Sequence, residues 1–253
     1  MGYGSPTVVG KSNAPHLRER LVSGRIVGTF VKLPATEAID IAADAGFDFV
    51  IVDLEHSQLS DDAASRLVRH ASVAGFPAVV RIPDCDRGAI NRLLEAGADG
   101  VQLSSVHSVH EVRDLVAATR YPPHGERSIS LAHAAAGYGR VPLREAVTAA
   151  PPLLVGQFET AQTEDPLERI MAAGLDVAFV GITDLTVNMA FDQTRVETRI
   201  QEVKDAAIAA GVSIGMFLPA GASDVSADFR YLALSSDLAM LREAATRTIG
   251  DGR

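Results

Sequence analysis

The sequence predicts an α/β fold, a single (β/α)8 barrel, and three observations lead there. Eight short, almost wholly apolar runs recur along the chain. Stretches with helical periodicity separate them, and a glycine often stands between a helix and the next run. Continuous rather than alternating apolar runs are the mark of parallel strands buried on both faces, and strict strand–helix alternation builds a parallel sheet.

In chain order the expected strands are Ile26–Phe30, Phe49–Val52, Ala78–Ile82, Gly100–Leu103, Leu153–Phe158, Val177–Val180, Val212–Phe217 and Tyr231–Leu234. A helix over Thr36–Ala45 stops at Gly46, and one over Asp61–Ala74 has Ser60 as N-cap and Gly75 as terminator. Asp86–Ala96 ends at Gly97, and Val109–Thr119 stops before Tyr121-Pro122-Pro123. Pro166–Ala173 ends at Gly174, Gln193–Ala210 at Gly211, and Asp237–Thr248 at Gly250. Gly125 to Ala150 reads as an insertion before the fifth strand, with a short helix over Leu143–Ala150. Residues 1–20 read as a loose tail and 21–253 as the barrel. A doubly wound open sheet is the alternative, but no G-x-G-x-x-G follows the first strand.

The chain has 253 residues, enough for one α/β barrel with a large core. Its net charge of −9 argues against nucleic acid as a partner. No apolar run approaches the ~18 residues of a membrane span, and the start lacks the apolar segment of a signal peptide. One cysteine, Cys85, allows no intrachain disulfide. A cytoplasmic location is the expectation. Cys85 itself reads as a small loop residue, since no adjacent motif activates it. Arginine supplies 20 of the 23 basic side chains, which leaves only Lys11, Lys32 and Lys204. A Schiff-base mechanism would have to rest on Lys32, at the end of the first strand.

Barrel active sites form at the C-terminal ends of the strands. Polar residues stand there: Asp53-Leu54-Glu55-His56, Arg81, Gln157-Phe158-Glu159-Thr160 and Gly181-Ile182-Thr183-Asp184. Glu159 and Asp184 are hard oxygen donors suited to Mg²⁺ or Mn²⁺. His56 suits a general base, and Arg81 a fixed charge for a developing enolate. The backbone around Thr183 suits a substrate carboxylate. Taken one at a time, the same residues serve equally as loop acids, caps and paired arginines. Together they fit enolisation of a 2-oxo acid.

Gly46 to His56 (GFDFVIVDLEH), Val79 to Pro83 (VVRIP), Ile90 to Gly97 (INRLLEAG) and Thr119 to Pro123 with Gly125 and Arg127 follow one another in order. Gln157 to Thr160 (QFET), Gly181 to Leu185 (GITDL) and Ser235 to Leu238 (SSDL) complete the series. This ordered set resembles the HpcH/HpaI aldolase family, metal-dependent pyruvate aldolases related to the citrate lyase β subunit and macrophomate synthase. The resemblance implies His56 as base, Glu95 as the acid that supports it, and Arg81 as enolate stabiliser. It implies Glu159 and Asp184 as ligands of Mg²⁺, Mn²⁺ or Co²⁺, with Gln157, Thr183 and Asp184 contacting the pyruvate moiety. It implies a homo-oligomer, a hexamer whose last helix is exchanged between subunits. The expected activity is formation or cleavage of the C–C bond between pyruvate and an aldehyde. Enolate formation by oxaloacetate decarboxylation and a non-catalytic 2-oxo acid-binding barrel are the alternatives. The chain departs from the family at Leu103–Ser108, Arg127–Ser130, Ile182 and Ser235, which suggests a changed acceptor pocket with His107, His124 and His133 as extra candidates.

Overall fold

The computed structural model describes residues 12–219, 221 and 225–251. Eight parallel strands close in sequence order into a barrel, each hydrogen-bonded to the next and the eighth to the first. They are β1 (Ile26–Val31), β2 (Phe49–Asp53), β3 (Ala78–Ile82), β4 (Gly100–Leu103), β5 (Leu153–Phe158), β6 (Val177–Val180), β7 (Ser213–Leu218) and β8 (Phe229–Ser236). The helices are α1 (Ala14–Ser23), α2 (Glu37–Asp44), α3 (Asp61–Ala74), α4 (Arg87–Ala96), α5 (Val109–Thr119) and α6 (Leu143–Thr148). They continue with α7 (Leu167–Met171), α8 (Ile182–Asn188), α9 (Gln193–Ala209) and α10 (Asp237–Asp251). The expected (β/α)8 barrel is therefore the observed fold, and the open-sheet alternative is excluded by the β1–β8 pairing.

The boundaries follow local chemistry. Ser60 accepts a hydrogen bond from Ala63 N and starts α3, while Gly75 ends it in the left-handed region at φ 71°. Asp86 lies outside α4 as its cap, accepting from Ala89 N. Ser108 and Glu111 form a reciprocal capping box at α5. The insertion before β5 carries a 3₁₀ turn over Ala134–Gly139 as well as α6.

Two apolar layers hold the barrel. The outer one lies between strands and helices and includes Val50, Val52, Val80, Val101 and Ala178. The inner one fills the barrel with Phe49, Ile51, Val79, Leu153, Val155, Val177, Phe179 and Tyr231. Tyr231 stacks within 4.7 Å of Phe49 and meets Phe179 edge-on at 6.0 Å. Gly28 makes room for this cluster, because a Cβ there would stand 2.5 Å from the Phe49 ring.

The N-terminal reading needs correction. Residues 1–11 lie outside the described residues, but 14–20 belong to α1 rather than to a tail. Leu17 and Leu21, one turn apart, are buried and join the inner apolar layer with Ile26 and Leu153. Arg18 locks the helix down, donating through Nε and Nη2 to Asp176 at 2.8 Å and to the carbonyls of Pro151 and Pro152 at 2.6 Å. α1 thus plugs the N-terminal mouth of the barrel. At the other terminus α10 leaves Leu238, Leu241 and Ile249 exposed. Among the described residues, no helix is long and apolar enough to cross a membrane.

A plug that completes the core contributes to global stability. Leu17→Ala is expected to lower the unfolding free energy by about 2–5 kcal/mol, read from urea titration; an unchanged midpoint would mean that α1 is not part of the cooperative unit.

Candidate active site

Period-two alternation sends every second strand residue into the barrel. On β2 the inward residues are Phe49, Ile51 and then Asp53; on β3 they are Val79 and then Arg81. On β5 Leu153 and Val155 precede Gln157, with Glu159 one step past the strand end. Gln102 occupies the corresponding place on β4. Each column changes from apolar to polar as it nears the C-terminal mouth. Asp53, Arg81, Gln102, Gln157 and Glu159 are all buried.

Asp53 and Arg81, paired in register on adjacent strands, form a bidentate ion pair. Arg81 Nε donates to Asp53 Oδ1 at 2.8 Å and Nη2 to Oδ2 at 2.6 Å. Lys32 Nζ adds a second cation 3.1 Å from Asp53 Oδ2 and donates to the His56 carbonyl at 3.1 Å. Burial raises the Asp53 pKa, but the Arg81 hydrogen bonds and charge, with His56 N–H and Lys32, prevail and lower it to about 2. Asp53 Oδ1 also accepts from Glu55 N and His56 N, so the ion pair shapes the turn that presents His56. The exposed His56 ring approaches Glu55, with Nε2 3.7 Å from Oε2. The same Glu55 oxygen lies 3.1 Å from Arg81 Nη1, yet it is buried without a hydrogen bond of good geometry. The Phe30 ring lies 4.5 Å beneath the Arg81 guanidinium and fixes its plane.

A second chain of contacts holds Glu159. Gln102 Nε2 donates to Gln157 Oε1 at 2.7 Å. Gln157 Nε2 donates to Glu159 Oε2, and Ser105 Oγ to Glu159 Oε1. Ser105 sits in the left-handed region at φ 48°, a conformation that costs energy for a residue with a Cβ. Gly181 passes so close that a Cβ would stand 2.5 Å from Glu159 Oε2. Asp184 lies on the first turn of α8, whose N-cap Gly181 has no side chain to satisfy the free N–H groups. Glu55, His56, Ser105, Glu159, Thr160 and Asp184 surround one cavity of about 260 Å³, with Val187 and Asn188 on its wall.

This donor set fits a hard divalent cation. Of the three carboxylates on the cavity Glu55 faces Arg81, and the other two, Glu159 and Asp184, match Mg²⁺, which takes one or two carboxylates and keeps several waters. Among the described residues, no three His, Cys, Asp or Glu side chains form a closed metal cage, so water and substrate would supply the remaining ligands.

Of the residues expected from sequence, His56, Glu159 and Asp184 line this cavity, Arg81 and Gln157 join it through Glu55 and Glu159, and Thr183 precedes Asp184 on the first turn of α8. Glu95 does not join them within this chain. It lies near the end of α4, where its Oε1 accepts from Asn91 at 3.2 Å and its charge acts on Arg127. The carboxylate next to His56 is Glu55, which the sequence reading passed over although it stands two residues beyond inward Asp53. Ser105 and Gln102 were missed as well. Ser105 occupies one of the positions that depart from the family, which was the available signal. Lys32 is at the mouth as expected, but its ammonium is held by Asp53, and a Schiff base needs a free neutral amine. Among the extra histidines, His107 stands at the mouth with Nδ1 3.4 Å from Thr160 Oγ1. His124 and His133 line a different cavity of about 950 Å³ beside the insertion. Burial, followed by Asp114, Asp84 and Glu111, pushes the Cys85 thiol up to about 12, away from the thiolate that a nucleophile needs.

The HpcH/HpaI aldolase/citrate lyase family matches residues 26–232. The hydroxypyruvate/pyruvate aldolase of Paraburkholderia phytofirmans is 29% identical over 244 residues, covering 90% of this chain and 93% of that protein. The 2-keto-3-deoxy-L-rhamnonate aldolase of Shigella dysenteriae is 31% identical over 206 residues, 77% of each chain. Among solved structures, a family protein from Burkholderia cenocepacia superposes with a TM-score of 0.83 at 28% identity, covering 94% of this chain and 99% of that one.

Two outcomes follow from the site geometry. Asp53 titrates near 2 instead of 3.8, so its stabilisation is complete above about pH 4 and disappears as the pH falls to 2. The stability deficit of Asp53→Asn should therefore narrow by roughly 2 kcal/mol between pH 5 and pH 2 in urea titrations; a deficit independent of pH would contradict the ion pair. Gly181→Ala, which drives a methyl group into Glu159, should weaken Mn²⁺ binding at least about ten-fold by calorimetry. Ser105→Gly, which removes the hydroxyl but relieves the backbone, should weaken it in the same direction.

Proposed function

This chain belongs to the HpcH/HpaI aldolase/citrate lyase family, and we propose that it is a divalent-metal-dependent pyruvate aldolase, a carbon–carbon lyase acting on 4-hydroxy-2-oxo acids. One observation carries the reading: a histidine, a buried arginine and two hard carboxylates surround or underlie a single cavity at the barrel mouth. The names of the relatives, hydroxypyruvate/pyruvate aldolase and 2-keto-3-deoxy-L-rhamnonate aldolase, support it.

In the cleavage direction the substrate carboxylate lies against the first-turn N–H groups of Thr183 and Asp184. Gln157 keeps one amide hydrogen beyond the one it gives to Glu159, and this orients the 2-oxo group. His56, at the rim, takes the C4 hydroxyl proton. The C3–C4 bond breaks, its electrons pass into the pyruvate enolate, and the aldehyde leaves. His56 gives the proton it took back through water, and its arrival at C3 of the enolate yields pyruvate. Arg81 stabilises the enolate oxygen, since its Nη1 meets only the poorly aligned Glu55 carboxylate and an oxyanion competes for it. Glu159 and Asp184 would hold a divalent metal, which would supply Lewis-acid polarisation of the 2-oxo group. Ser105 and Gln157 position Glu159, and Lys32 adds a second cation beside Asp53. The exposed Leu238, Leu241 and Ile249 of α10 support a homo-oligomer in which this helix packs on another copy.

The test is exchange of the pyruvate methyl protons in D₂O, followed by NMR without any aldehyde. Exchange should require Mg²⁺, Mn²⁺ or Co²⁺, stop on chelation and fall by at least about a hundred-fold in Arg81→Met. Borohydride with pyruvate should leave Lys32 unmodified. Metal-independent exchange, or a borohydride adduct on Lys32, would overturn the assignment.

A further inference from the structure

We infer that Lys32 and Asp237 are positioning residues for the proposed base: Asp237 fixes the backbone that carries Lys32, and Lys32 holds the carbonyl side of the His56 turn. The inference rests on the aldolase reading above, since it takes His56 as the group that moves the proton. The His56 ring is exposed, and Glu55 Oε2 stands 3.7 Å from it. Among the described residues the ring makes no hydrogen bond, so its place depends on the backbone beneath it.

That backbone is gripped at both ends of one residue. His56 N donates to Asp53 Oδ1 at 3.2 Å, and the His56 carbonyl accepts from Lys32 Nζ at 3.1 Å. The same ammonium stands 3.1 Å from Asp53 Oδ2. One cation therefore ties the start of the turn to its end. Asp53 is also held by Arg81, but among the described residues the His56 carbonyl is held by Lys32 alone.

A lysine chain is flexible and can fix its target only if its own root is fixed. The root lies just past Val31, the last residue of β1. There Lys32 N and Leu33 N each donate to Asp237 Oδ2 at 2.9 Å. Asp237 is not needed as the cap of α10, because Ser236 Oγ accepts from Ala239 N at 3.3 Å. Its aim comes from a bulge in β8. Gly28 pairs with Ala233 and Phe30 with Ser236, so β8 advances three residues while β1 advances two. By alternation Asp237 would follow Tyr231, Ala233 and Ser235 into the barrel. The extra residue breaks that alternation, and the Asp237 carboxylate meets β1 instead. Ser235, inside the bulge, takes φ 59°, a left-handed conformation that costs energy for a residue with a Cβ. Lys32 and Asp237 are not among the described residues that line the cavity, so both act through His56 rather than on substrate.

Metal-dependent exchange of the pyruvate methyl protons tests the clamp, since the proton at C3 passes through His56. Lys32→Met should lower kcat at least about ten-fold and leave KM for pyruvate within about two-fold, because a displaced base slows proton transfer without loosening the 2-oxo acid. Lys32→Arg keeps the cation and its donors and should restore kcat to within about three-fold of wild type. Asp237→Ala should lower kcat about five-fold, and Asp237→Asn, which keeps an acceptor oxygen, should restore it. If Asp237 acts through Lys32, the double variant Lys32→Met/Asp237→Ala should be no slower than Lys32→Met within about two-fold. Mn²⁺ binding by calorimetry should stay within about two-fold of wild type throughout, because Glu159 and Asp184 are held by other contacts. An unchanged kcat in Lys32→Met, no recovery in Lys32→Arg, multiplied losses in the double variant, or lost Mn²⁺ binding in Lys32→Met would overturn the inference. With exchange intact in the wild type, any of these refutes the clamp alone. A wild type that shows no metal-dependent exchange refutes the aldolase reading and the clamp with it.

Discussion

A closed barrel offers each strand one inward column, and every position in it goes either to packing or to chemistry. This constraint organises the whole molecule. Phe49, Ile51, Val79, Leu153 and Val155 fill the N-terminal half of the interior, and Asp53, Arg81, Gln102 and Gln157 take the half that remains. Because side chains alternate, a slip of one residue in any strand would exchange polar for apolar positions along its length. The arrangement of the mouth is therefore tied to correct packing at the floor. Gly28 shows the coupling at its tightest: the room it leaves for Phe49 fixes how β1 and β2 lie against each other.

Polar groups placed inside a barrel must be satisfied there. The chain does this with two separate networks. One is ionic, with Arg81 and Lys32 converging on Asp53, and it holds the turn that displays His56. The other is a neutral relay, Gln102 to Gln157 to Glu159, completed by Ser105 from the other side. The first sets the field beneath the turn that carries His56, and the second aims a carboxylate. Neither network relies on the flexible ends of surface side chains, so both preserve their geometry before substrate arrives.

Most of the barrel was legible because its signals are local and repeated: apolar runs, capping serines and aspartates, and glycines in the left-handed region. The placement of His56, Arg81, Gln157, Glu159 and Asp184 at the barrel mouth was legible for a related reason, since fold topology alone brings strand ends together. What escaped was whatever depends on a neighbour distant in sequence. Leu17 and Leu21 form too short an apolar stripe to stand out, and they gain meaning only against Ile26 and Leu153. Glu55 was hidden inside a motif whose histidine drew attention. Glu95, taken from resemblance, sits on a helix face next to Asn91 and Arg127, a placement that pairwise spacing along the chain does not encode. Ser105 could not be read as a partner of Glu159 until β4 and β5 were known to lie side by side.

The helical plug at the N-terminal end has a consequence for traffic. With Phe49, Phe179 and Tyr231 filling the interior and Leu17 and Leu21 sealing the end below them, the cavity at the mouth has a closed floor, and whatever enters from above must leave the same way. Glu159 lies at the buried side of the cavity, while His56, Val187 and Asn188 stand nearer its rim. A two-part reaction stacked along this axis has an order imposed by geometry: the 2-oxo acid must arrive first, the aldehyde closes the path above it, and in the reverse direction the aldehyde must depart before pyruvate can.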